Sequence, residues 1–305
     1  MKFVSYSRNG GEIRAGVSVD GKIADLADGA VAIGASLPSN VVEILAMGMP
    51  GMTTAGDVAD AAAVGSIPTI AESDVTLEAA IQNPPTIFLL LRPGNYQSHI
   101  IEGGGSAVEK NKINPRPFIK PTTAIIGTGD PILIPPDSET LDYEIEIAAV
   151  IGAEGRHIPV ADANNYVAGY TVFNDVSARS LKIAEGRTER AGDLWFDWLL
   201  GKWCDSFAAI GPYLVTKDEA GDPSTLEMAL TVNGELRQHS DAGEMIFSIP
   251  EAVAFLSRFV TLRPGDLICM GTPGGVGAAT ETYLKSGDVV VARIDKLGTL
   301  ENRVQ

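Results

Sequence analysis

The segment Leu141-Asp142-Tyr143-Glu144-Ile145-Glu146-Ile147-Ala148-Ala149-Val150 decides the reading of this chain. Its polar and apolar residues alternate with the two-residue period of a β-strand. Glu144 and Glu146 therefore project from one face, and Tyr143, Ile145 and Ile147 from the other. Two carboxylates two residues apart on a strand sit ~7 Å from each other, close enough to converge on one cation. The ordinary alternative is a half-exposed strand with a solvated acidic face. A second apolar run, Thr171-Val172-Phe173, leads straight into Asn174-Asp175, so Asp175 lies at a strand end. There it can serve as a site residue, or simply as an Asx turn or helix cap.

Outward from these segments, short strands recur between Gly, Pro and Asp punctuation. They are Ile87–Leu91, Glu144–Ile151, Tyr166–Phe173, Pro212–Thr216, Met228–Val232, Leu267–Met270 and Val289–Ile294. One clear helix intervenes, Pro250 to Phe259, with proline in its first turn. Upstream, Asp20-Gly21 between two β-type runs predicts a hairpin with a type I′ turn. Asn40 predicts the N-cap of a short helix over Val41 to Met47, and an alanine-rich helix follows over Val58 to Val64. Pro84-Pro85 favours an extended connection. The organisation expected is a small N-terminal α+β domain over 1–75, a linker over 76–86 and a larger domain over 87–305. The fold class expected is mostly β (α+β).

The 305 residues are 45% hydrophobic, enough for a sizeable core, which excludes wholesale disorder. Lys and Arg number 23 against 39 Asp and Glu, a formal charge of −16. That excess argues against nucleic acid or an anionic membrane as partner, because both need basic patches. Cys204 and Cys269 are far apart and outside any CxxC pattern, so neither a zinc site nor a disulfide framework is expected. No run approaches the ~18 apolar residues of a bilayer span. The expectation is a soluble, cytoplasmic protein.

Three further segments carry chemistry. In Asn95-Tyr96-Gln97-Ser98-His99-Ile100-Ile101-Glu102, His99 and Glu102 are neighbours if the stretch is helical, so Glu102 can orient the imidazole as a base. Gly103-Gly104-Gly105 follows and suits a hinge, giving a lid; a surface turn with an incidental ion pair is the plainer reading. His157 and His239 read as surface residues. The loop Gly271-Thr272-Pro273-Gly274-Gly275-Val276-Gly277 lacks the ending of a phosphate-binding P-loop and the order of a dinucleotide fingerprint. Its backbone amides can still cradle a carboxylate. Lys202, in Gly201-Lys202-Trp203, is otherwise a surface cation flanked by aromatics.

Taken together, Tyr143–Ile151, Asn174–Arg179, Gly201–Asp205, Ile210–Pro212, Val232–Gln238, Met245–Ser248 and Gly271–Gly277 resemble the fumarylacetoacetate hydrolase (FAH) family, in family order over about residues 85–305. The resemblance implies an FAH-type mixed β-roll core, a homodimer, and bound Mg²⁺ or Mn²⁺, with Ca²⁺ as a substitute. The implied substrate is a small 2-oxo or β-diketo acid. Carried over by motif, Glu144, Glu146 and Asp175 hold the metal. Asn95, Tyr96, His99 and Glu102 form the lid, with His99 and Glu102 catalytic. Lys202 is a catalytic cation, and Asn95, Tyr96, Arg179, Gln238 and Thr272 bind substrate. Two departures stand out: Ser180 follows Arg179 where members commonly have Asp, and the stretch from Ala184 to Trp198 is long, charged and aromatic.

An all-oxygen ligand set suits hard cations over zinc. The expected activity is hydrolysis of a C–C bond in an acylpyruvate-like 2,4-dioxo acid, through a metal-stabilised enolate, with His99 activating water. Oxaloacetate decarboxylation, or isomerisation or dehydration of a 2-oxo acid, would use the same enolate. A non-catalytic Ca²⁺-stabilised binding protein is the alternative outside enzymology.

Overall fold

A computed structural model of the chain describes residues 1–91, 94–181, 183 and 186–305. It is mostly β with a few helices. The main sheet runs in the order Ile70–Ala71, Lys22–Asp25, Arg14–Val19, Lys2–Ser7, Ala208–Thr216, Val167–Asp175, Ile145–Ile151, Leu267–Cys269, Ile87–Leu91, Arg116–Lys120. A second sheet runs Glu235–Asp241, Glu227–Val232, Val289–Ile294, Gly298–Val304, Pro131–Ile132. The N-terminal strands lie in the main sheet because Lys2–Ser7 pairs antiparallel with Ala208–Thr216.

Local signals explain most elements. Asp20 and Gly21 both take positive φ, 50° and 74°, which a type I′ turn requires. The Asn40 side chain accepts the amide of Val42 at 2.8 Å and caps the helix Val41–Ala46. Ser248 and Glu251 form a capping box on the helix Ile249–Ser257. The alanine-rich helix spans Met49–Ala63, about two and a half turns longer at its start than composition suggests. Pro50 initiates it. Gly51, a poor helix former, is kept because a Cβ there would lie 2.4 Å from the Ile44 carbonyl oxygen of the neighbouring helix. Tertiary contact overrides propensity at that point.

The central strand Ile145–Ile151 is buried on both faces. Ile145, Ile147, Ala149 and Ile151 enter one core, while Ala148 and Val150 enter the other. Alternation thus assigns the faces correctly, but the acidic face is covered rather than wet. Its antiparallel partner puts Ile145 opposite Asn174 and Glu146 opposite Phe173. Opposite residues share a face, so the next pair in register, Glu144 and Asp175, joins Glu146 on one side of the sheet. The Asp175 amide donates to the Glu144 carbonyl at 2.8 Å and extends that register.

Candidate active site

Glu144, Glu146 and Asp175 each offer a carboxylate oxygen, and these oxygens lie within 4.8 Å of one another. All three residues are at most 5% exposed. Buried carboxylates need counter-charges, and three cations supply them. Lys202 Nζ donates to Glu144 Oε2 at 2.9 Å and to Asp175 Oδ2 at 2.6 Å. Arg179 pairs with Glu144 Oε1 at 2.6 Å. Lys120 Nζ lies 2.6 Å from Asp175 Oδ1. Glu146 instead accepts the Gly271 amide at 2.8 Å.

These partners split the carboxyls. Burial works to raise Glu144, but the charges of Lys202 and Arg179 overcome it and hold the group well below the usual carboxylate range. Glu146 goes well above that range, through burial first and then the charges of Asp175 and Glu144. Three hard oxygens, one set strained by mutual repulsion, fit a divalent cation that would relieve it.

The same cavity is lined by Leu90, Gly94, His99, Phe118, Arg179, Trp198, Lys202, Gly271 and Thr272. His99 sits on the helix Gln97–Glu102, and its Nδ1 is 2.7 Å from Glu102 Oε1. The other Glu102 oxygen accepts the Gly275 amide at 2.6 Å, and Ser98 Oγ accepts the Gly274 amide at 3.1 Å. The carboxylates cradled by the glycine loop are therefore the chain's own, Glu102 among them. Gly103 ends the helix, and the left-handed Gly104 (φ +79°) lets the Gly105 amide close on the Ile100 carbonyl at 2.9 Å. Gly275 has φ +104°, and a Cβ there would meet the Arg237 carbonyl oxygen at 2.1 Å. Gly275→Ala should destabilise the chain by about 1–3 kcal/mol and loosen Glu102. Urea denaturation checks the first effect, and hydrogen exchange of residues 97–102 the second.

Other expected site residues hold the site from behind. Asn95 donates to the Phe247 and Met270 carbonyls at 2.9 and 2.8 Å and accepts the Phe247 amide at 2.7 Å. Tyr96 is fully buried with its hydroxyl 3.4 Å from the Met228 sulfur. Neither lines the cavity; their hydrogen bonds anchor the start of the His99 helix. Gln238 is likewise off the cavity wall. It accepts the Ile145 amide at 3.0 Å and donates to Thr272 Oγ1 at 2.8 Å, orienting the threonine that does line it. Arg179 reaches the cavity, yet its Nε donates to Asp142 Oδ2 at 2.8 Å while its Nη2 faces Glu144. Its guanidinium is thus committed to protein carboxylates. Ser180 turns away, 2.8 Å from the Thr140 hydroxyl. His157 and His239 are exposed.

Several participants were not anticipated. Asp142 has the strand phase of Glu144 and Glu146. It is fully buried, accepting the Gly277 and Ala278 amides at 2.7 and 2.9 Å. Lys120 ends an edge strand with no sequence signal. Within the Ala184 to Trp198 stretch, Ala184 and Glu185 lie outside the described residues. The helix Asp193–Leu200 brings Trp198 to the cavity, stacked on Trp195 at 5.2 Å and edge-on to Phe118 at 5.1 Å. Lys202 Nζ lies 5.5 Å from the Trp198 ring and 5.8 Å from that of Phe118.

A family model described as fumarylacetoacetate (FAA) hydrolase C-terminal matches residues 92–305. The chain belongs to the fumarylacetoacetate hydrolase family. Among curated relatives, the mitochondrial oxaloacetate tautomerase Fahd2a of Rattus norvegicus is 40% identical over 271 residues, 88% of this chain and 80% of that protein. Two solved structures cover 100% of this chain and 98% of their own. One is maleylpyruvate hydrolase from Sphingobium sp. SYK-6 in complex with manganese(II) and pyruvate, 27% identical with a TM-score of 0.75. The other is 5-carboxymethyl-2-hydroxymuconate delta-isomerase from Mycobacterium smegmatis, 29% identical with a TM-score of 0.71. The mixed sheets agree with the fold expected for this family. Among the described residues no helix is long and apolar enough to cross a membrane.

Proposed function

We propose that this family member is a divalent-metal-dependent enzyme that interconverts the keto and enol forms of an oxaloacetate-like 2-oxo acid. The observation that carries the reading is the His99–Glu102 pair, 2.7 Å apart, on the wall of the cavity that holds the three-carboxylate cluster. The 40% identity to a protein named oxaloacetate tautomerase supports it.

Glu144, Glu146 and Asp175 would hold Mg²⁺ or Mn²⁺, which supplies Lewis acidity toward the keto oxygen and carboxylate of a 2-oxo acid. With Nδ1 on Glu102, the neutral imidazole presents Nε2 as its basic nitrogen. His99 takes a proton from the carbon next to the ketone and returns a proton to the oxygen, or the reverse, so atoms balance without water or co-reactant. Glu102, itself held by the Gly275 amide, fixes the ring and stabilises its protonated form. Lys202 and Arg179 keep Glu144 ionised, and Lys202 also holds Asp175 in place. Trp198 and Phe118 exclude water from the apolar side.

A second reading is C–C hydrolysis of an acylpyruvate, with His99 deprotonating water. Similarity over the whole chain to the maleylpyruvate hydrolase favours it. Following enol-oxaloacetate decay by ultraviolet absorbance, with Mg²⁺ and with EDTA, separates the two. The expected result is a Mg²⁺-dependent acceleration that EDTA removes. Decay at the buffer rate, alongside cleavage of acylpyruvates, would transfer the assignment to hydrolysis.

A further inference from the structure

The chemistry above leaves Lys120 without a part, although it touches the ligand cluster. Its side chain is 0% exposed and does not line the cavity. Nζ donates to the Val176 carbonyl at 2.9 Å and to the Phe207 carbonyl at 2.5 Å, and lies 2.6 Å from Asp175 Oδ1. The two carbonyls accept from the nitrogen, and the third oxygen, Asp175 Oδ1, is held by charge. Val176 directly follows Asp175, and Phe207 directly precedes the neighbouring strand Ala208–Thr216. The ammonium is thus pinned by backbone on the far side of Asp175 from the cavity. Lys202 differs, because it lines the cavity.

We propose that Lys120 is a positioning residue that tunes how tightly the site holds a divalent cation. It steadies Asp175 from behind and at the same time opposes the incoming ion. This inference rests on the reading of Glu144, Glu146 and Asp175 as a divalent site. An ion on Asp175 would sit one carboxylate away from the Lys120 ammonium, which burial disfavours and the charge of Asp175 supports, in a buried place where salt screens little. Losing Lys120 would cost Asp175 one of its two cations. The carboxylate keeps Lys202 on Oδ2 at 2.6 Å and its backbone stays in the sheet, so its orientation survives. Removal of the repulsion is then the larger effect, and neutralising Lys120 tightens metal binding. The wild-type lysine keeps the ion exchangeable.

The test is Mn²⁺ titration of the metal-stripped full chain, with free Mn²⁺ read by electron paramagnetic resonance, for wild type, Lys120→Met and Lys120→Gln. The Kd for Mn²⁺ should fall at least about tenfold in the variants. Their Tm should drop in EDTA, and the rise on adding Mn²⁺ should exceed that of wild type, because the ion takes over the neutralisation. A purely structural lysine would lower Tm without tightening Mn²⁺. Equal or weaker binding by a folded variant overturns the proposal, as would both variants staying unfolded in excess Mn²⁺. A different result sinks the metal reading itself: no Mn²⁺ binding by wild type, or unchanged binding by Glu146→Ala.

Discussion

Glu146→Ala should remove metal-dependent turnover while leaving a folded chain, and in EDTA that chain should be more stable than wild type at neutral pH. Lewis-acid assistance contributes several kcal/mol to reactions of this type, so the expected loss is at least about 10³-fold in kcat/KM. The stability gain follows from the carboxyl's surroundings. Burial, then the charges of Asp175 and Glu144, raise its pKa on folding. A group raised on folding favours the native state fully below its unfolded pKa, and that advantage is lost as pH rises through its folded value. At neutral pH an uncompensated Glu146 therefore weakens the native state, and alanine or glutamine relieves it. Glu144 behaves oppositely: its folded pKa is depressed despite burial, by Lys202 and Arg179. Its contribution is present above the unfolded pKa and lost as pH falls through the folded one. Urea denaturation in EDTA across pH should show Glu146→Gln gaining on wild type as pH rises, and Mg²⁺ should stabilise wild type more than the variant. Identical curves would mean that the carboxylates do not repel one another as oxygens within 4.8 Å of each other should.

The sheet and the ligand cluster were legible because they depend on period and order. Alternation alone assigned Glu144 and Glu146 to one face, and an apolar run ending in Asn-Asp marked Asp175. The His99–Glu102 pair followed from helical spacing. Whether that acidic face is wet was not legible, since its cover comes from strands and helices far away in sequence, including Phe173, Ala208 and Leu267. Of the counter-ions, Lys202 and Arg179 were located by family motif as site cations, while their pairing with the ligand carboxylates and the presence of Lys120 were hidden. Lys120 reaches the cluster only through the crossing order of the main sheet, and it looks like any lysine at a strand end. Family motifs located Asn95, Tyr96 and Gln238, but the motif alone does not show that their polar atoms are taken up by protein partners behind the cavity wall. Asp142 was readable and passed over: it continues the i, i+2, i+4 phase of the two glutamates, and its burial under Arg179 makes it a support for Glu144.

The second large effect concerns the proton. His99→Ala should lose the ~10²–10⁴-fold characteristic of a general acid–base residue while binding Mn²⁺ as wild type does, because the imidazole touches none of the three carboxylates as a ligand. Glu102→Gln should be milder. The amide oxygen can still accept from Nδ1, but the charge that stabilises the imidazolium is gone, and the Gly275 amide loses a charged acceptor. In wild type the rate should fall on the acid side with the uptake of one proton, since a protonated imidazole cannot abstract another. That acid limb should vanish in His99→Ala, and added imidazole should restore part of its activity. Solvent deuterium incorporation at the carbon next to the ketone gives a readout independent of the reaction's direction: the keto acid should exchange that hydrogen rapidly with wild type and Mg²⁺, and slowly with His99→Ala. If His99→Ala exchanges deuterium at the wild-type rate, the proton is handled elsewhere in the cavity. Lys202 would then be the group to test, because it is the remaining cavity-facing cation within reach of both Glu144 and Asp175 among the described residues.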